Sequence, residues 1–162
     1  MHILQISAVI CAFISLVLLL IALGSDYWIQ SAKENSGLWA HCSTKILFNI
    51  CLPFFIKEVP GFYHATRTFL FFGVIAGAIS CIGLCGNFFS FQLRSISKTK
   101  SSAIASLVAA LCVMIGMAIF TGQTGGIAPY GWAFGLGWAT FPLFLITGGL
   151  AFALDRTVST AA

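Results

Sequence analysis

Four stretches of this chain are long enough and apolar enough to cross a lipid bilayer, and they limit what it can fold into. Ile3–Gly24, Thr68–Phe91, Ser102–Thr121 and Trp132–Leu154 contain no Asp, Glu, Lys or Arg. A hydrocarbon core about 30 Å thick needs roughly 20 helical residues at about 1.5 Å each. Inside it the backbone must satisfy its own hydrogen bonds, so each run is expected to be a helix. Only 7% of the 162 residues are charged, against roughly 25% in a soluble domain. Such a chain cannot cover a water-facing surface, and the lipid bilayer is its first partner. The length suits one tetraspan membrane domain over residues 1–162. The net charge of +4 comes from few and scattered residues, which gives no footprint for nucleic acid.

The first run has a competing reading as a cleaved signal peptide, since Ala22-Leu23-Gly24 is similar to a small-residue cleavage site. Against it, the run lacks a basic n-region and is long for a signal. A retained helix is therefore expected.

Between the first two runs lies a loop, residues 25–66, that carries most of the chain's distinctive residues. It holds Trp28, then Gly37-Leu38-Trp39, then Cys42 and Cys51. Trp28-Ile29-Gln30 and Gly37-Leu38-Trp39 are strand-compatible, with turn-forming residues Glu34–Gly37 between them. Two or more short strands forming a small sheet above a four-helix bundle are expected. Two cysteines this close on one loop can close a small ring, which an oxidising compartment favours. Such a ring adds about 2–3 kcal/mol, chiefly by restricting the unfolded chain. Two free thiols are the alternative. The other four cysteines, Cys11, Cys81, Cys85 and Cys112, fall inside the runs, where a thiol packs as a small hydrophobe.

Later in the loop, residues 46–56 are unusually apolar, with Phe54-Phe55-Ile56 at the tip. Burial against the sheet or lipid is one reading. A contact surface for another protein is the other. Arg67 opens the second run, either snorkelling to the headgroups or donating to loop carbonyls and docking the sheet. Gly73 and Gly77 form a Gly-xxx-Gly pair that lets helices approach closely, within the bundle or between subunits. Residues 92–101 are short and basic, with Arg94, Lys98 and Lys100. Short basic loops stay in the cytoplasm, which places both termini inside and residues 25–66 and 122–131 outside. Trp132 and Trp138 fit an outer aromatic girdle, and Pro142 is expected to kink the last helix.

The ordered set of Trp28, Gly37-Leu38-Trp39, Cys42, Cys51 and Arg67 resembles the first-loop signature of the claudin, peripheral myelin protein and epithelial membrane protein superfamily. Residues 25–30, 65–69, 118–122 and 132–138 are most similar to its lens fibre membrane intrinsic protein branch. The natural killer granule protein branch is also similar around the last two runs. The resemblance covers most of the chain. It implies a tetraspan architecture and varied, non-enzymatic functions.

Signatures of chemistry are missing from the sequence. It has no Walker loop, dinucleotide fingerprint, zinc spacing or nucleophile elbow. His41 and His64 lack a paired spacing for a metal, and no cofactor is expected. No ionisable residue lies within a charge-free run, which argues against a coupled transporter. The expectation is a membrane protein that organises cell–cell contact or membrane architecture. Its partners would be copies of itself, neighbouring membrane proteins or an opposing membrane. A vesicle or granule membrane protein and an auxiliary channel subunit are the alternatives. Paracellular ion selection fits less well, because the loop is short and its charges are few and mixed. Thr160-Ala161-Ala162 also lacks the large terminal apolar residue of a PDZ ligand.

Overall fold

The computed structural model describes residues 2–30, 34–45, 48–53, 61–88, 98–125 and 129–161. Helices α1 (His2–Gly24), α2 (Gly61–Phe88), α3 (Lys98–Gln123) and α4 (Trp132–Ala161) hold the four runs. Each contains a segment long and apolar enough to cross a membrane. They pack in a ring, α1 on α2 and α4, and α3 on α2 and α4.

Helix α2 begins at Gly61, seven residues before the charge-free run at Thr68, and α4 continues past Leu154 to Ala161. The basic segment expected to be loop as far as Ser101 becomes helical at Lys98. Absence of charge marks where lipid begins, whereas hydrogen bonding lets a helix continue into the headgroups. At about 1.5 Å per residue, α2 is ~42 Å long, longer than a hydrocarbon core of about 30 Å requires. Helix α4 remains continuous through Pro142.

Side chains fill the axis of the bundle. Leu19, Leu70, Val113, Met117, Phe120 and Phe144 are fully buried there. Small residues allow the close approach. A Cβ on Gly73 would meet Val113 at 3.0 Å, and one on Gly77 would meet the Phe144 ring at 2.9 Å. The Gly-xxx-Gly pair thus packs inside the bundle, Gly73 against α3 and Gly77 against α4. Lower down, the Ser80 hydroxyl lies 2.9 Å from the Ser102 carbonyl and 2.5 Å from the Ser106 hydroxyl. Buried hydroxyls in lipid need such partners, and these join α2 to α3.

The loop between α1 and α2 forms a four-stranded antiparallel sheet in the order β1 (Ile29–Gln30), β2 (Glu34–Ser36), β3 (Ala40–Lys45), β4 (Phe48–Pro53). Two details differ from the sequence reading. Glu34-Asn35-Ser36, expected as a turn, is strand β2, and Gly37-Leu38-Trp39, expected as a strand, is the turn between β2 and β3. Position explains the exchange. Gly37 lies against the backbone of Ser25 and Asp26, with a built Cβ only 2.6 Å from the Asp26 Cα. The tertiary contact therefore overrides the strand propensity of Leu38 and Trp39.

Candidate functional site: a loop sheet latched to the membrane bundle

The residues that stand out in the sequence gather where the sheet meets the helix ends. Trp28 is fully buried. Its indole Nε1 donates to the Ala22 carbonyl at 2.6 Å, near the C-terminal end of α1, where carbonyls lack helical partners. Its ring meets Phe120 edge-on at 5.0 Å and Phe134 at 6.2 Å. Phe62 and Tyr63 extend this cluster onto α2. Trp28 therefore closes one end of the bundle with aromatic contacts to α3 and α4.

Trp39 and Arg67 make the second attachment. The Trp39 indole donates to the Leu23 carbonyl at 2.9 Å. Leu38 is fully buried, and its carbonyl accepts from Arg67 Nε at 2.9 Å and from Nη2. The guanidinium carbon stands 4.5 Å from the centre of the Trp39 ring, and that ring meets Phe71 at 5.8 Å. Arg67 is thus a donor that docks the loop, one of its two expected roles. Its place inside α2 fixes the distance at which the turn is held. Nη1 lies 3.3 Å from His64 Nδ1, one turn earlier.

The connection between α3 and α4 closes the β1 edge. Ile29 bridges to Tyr130, and the Gln30 amide donates to Pro129 at 2.7 Å. The Gly131 amide donates to Trp28 at 2.9 Å. A Cβ on Gly131 would lie 2.8 Å from the Tyr27 carbonyl carbon, so only glycine fits this approach. Tyr27 stacks on Trp132 at 5.7 Å, and both are exposed, as interfacial aromatics are. Trp138 instead packs on the core and donates to Thr121 Oγ1 at 3.3 Å. The sequence reading missed the part played by Pro129–Gly131. Only the paired glycines and proline of that loop signalled a tight turn.

Cys42 and Cys51 are direct cross-strand partners of β3 and β4, and Cys42 is buried. The free thiols among the described residues are Cys11, Cys81, Cys85 and Cys112, all in helices. Phe54, Phe55 and Ile56 lie outside the described residues. Among the described residues, no three His, Cys, Asp or Glu side chains gather as a metal site.

The description "PMP-22/EMP/MP20/Claudin family" matches residues 1–151. The chain belongs to this family. It is 27% identical over 153 residues to the lens fiber membrane intrinsic protein of Rattus norvegicus, covering 85% of this chain and 83% of the relative. It is 28% identical over 151 residues to protein NKG7 of Mus musculus, covering 82% and 79%. Epithelial membrane protein 2 of Danio rerio is 29% identical over 154 residues, covering 86% and 92%. The four helices long and apolar enough to cross a membrane fit the family's tetraspan fold.

Proposed function

We propose that this family member is a non-enzymatic organiser of membrane contact. In this reading its bundle holds the β-sheet outside the cell, and the sheet associates with a neighbouring copy or membrane protein. Both termini are then cytoplasmic, the plasma membrane at cell junctions is the site of action, and Cys42–Cys51 is a disulfide. The cross-strand register of these two residues supports the bridge.

The observation that carries the proposal is the asymmetry of the sheet. The connection between α3 and α4 closes the β1 edge. Among the described residues, nothing pairs with the far edge of β4. That strand, Phe48-Asn49-Ile50-Cys51-Leu52-Pro53, carries no charge, whereas isolated edge strands are normally guarded by one. Phe54, Phe55 and Ile56 follow directly, and each can contribute about 1.5–3 kcal/mol when moved from water to a buried contact. The filled bundle axis favours scaffolding over conduction through a single subunit.

Two variants test the reading: Phe54→Ser with Phe55→Ser, and Asn49→Lys on the β4 edge. Membrane insertion should persist while cross-linked oligomers, or enrichment at cell contacts, decline. Loss of insertion would make these residues structural, and unchanged association would remove the surface. A second reading, a vesicle or granule membrane protein, is supported by the likeness to the natural killer branch. Surface labelling of the native cell separates the two, and co-purification in mild detergent would reveal a channel partner.

A further inference from the structure

Two apolar clusters fill the bundle, one under the sheet and one at the far end. A layer of hydroxyls divides them. Ser15, Ser80, Ser106 and Thr147 are fully buried, and each of the four helices supplies one. On α1, Ser15 falls between Ala12 of the far cluster and Leu19 of the near one. On α3, Ser106 falls between Ala103 and Ala109 in the same way. The layer bonds in two halves. Ser80 of α2 reaches both the Ser102 carbonyl and the Ser106 hydroxyl of α3. Thr147 of α4 lies 3.1 Å from Cys11 Sγ on α1, and the Cys11 thiol donates to the Leu143 carbonyl of α4 at 3.5 Å.

Apolar contact alone sets helix register weakly in lipid, because lipid tails are as apolar as the side chains they replace. The interior face of α3 adds to the problem. Ala103, Ala109, Ala110 and Gly116 are all buried small residues, and one turn of such a face resembles the next. A hydroxyl that must find a partner away from water does distinguish one turn from another. We propose that the hydroxyl layer is a register lock, with Ser80 as its central residue, which fixes the height of α2 on α3 and thereby holds Arg67 level with Leu38. A slip of one turn moves α2 by about 5.4 Å. Trp28 would stay with Phe120 of α3, while Arg67 on α2 would leave the Leu38 carbonyl. The lock thus acts on the sheet through the helices.

Disulfide trapping in the full chain, inserted in lipid vesicles and treated with a mild thiol oxidant, tests the lock. A Cβ built on Gly116 lies 3.2 Å from the Phe69 Cβ, and a disulfide spans about 3.8 Å between Cβ atoms. Phe69→Cys with Gly116→Cys therefore reports the native register. Cys112, one turn earlier on α3, competes for the thiol at position 69 once the helices slip. Mass mapping gives the ratio of the native bridge to the slipped one. Added to this pair, Ser80→Ala should lower the ratio about threefold, the weight of an average hydrogen bond between helices in a membrane. Ser106→Ala leaves the bond from Ser80 to the Ser102 carbonyl and should lower it less. Ser80→Thr keeps the hydroxyl and should keep the ratio. Thr140→Ala is the control: this buried hydroxyl bonds Gly137 within its own helix, and its loss should leave the ratio unchanged. An unchanged ratio in Ser80→Ala overturns the lock. So does an equal fall in Thr140→Ala, which would mean that any lost hydroxyl loosens the bundle. Association of the sheet with other molecules plays no part in this readout.

Discussion

Trp28 joins three elements through one side chain. Its indole satisfies a carbonyl near the end of α1, and its ring fills the space between Phe120 on α3 and Phe134 on α4. Trp28→Ala should cost about 3–5 kcal/mol through the cavity it leaves. Trp28→Phe keeps most of the apolar volume and loses the hydrogen bond, so its loss should be smaller, about 1–3 kcal/mol. Thermal unfolding in detergent should rank the two in that order, and equal losses would mean that the ring does not fill the site. Trp28, Leu38, Trp39 and Arg67 stand out in the sequence as a set through their resemblance to the family's first-loop signature. Which carbonyls they reach was not visible, since that depends on how the turn lies against α2.

At the scale of elements, hydrophobic run length predicted the helices well and their ends poorly. The charge-free runs mark only part of each helix, and α2 and α4 continue beyond them. The sheet was expected, but local propensity exchanged a strand for a turn. Glu34–Ser36 pairs on both sides, with β1 and β3, whereas Gly37–Trp39 turns away to reach the helices. Helix packing gives a contrast to test. Gly77 is closed in by Phe144, while nothing lies within 4 Å of a Cβ built on Gly149. Gly77→Leu should overpack the bundle and cost about 1–3 kcal/mol. Gly149→Leu, on an exposed face of α4, should leave the thermal midpoint of the monomer nearly unchanged. A reversed order would contradict the close approach of the Phe144 ring to Gly77 across the bundle axis.

At the scale of the whole molecule, an apolar four-helix bundle carries a sheet, attached to the helix ends by Trp28, by Trp39 with Arg67, and along β1 by the connection between α3 and α4. If the sheet lies outside the cell, Cys42 and Cys51 sit in register in an oxidising compartment, while the other four cysteines lie within the helices. Mass mapping of non-reduced peptides from freshly prepared native membranes, alkylated before lysis, tests register and sidedness together. The account predicts Cys42 and Cys51 in one cross-linked peptide, with Cys11, Cys81, Cys85 and Cys112 outside any bridge. Recovery of Cys42 and Cys51 as separately alkylated free thiols would contradict it.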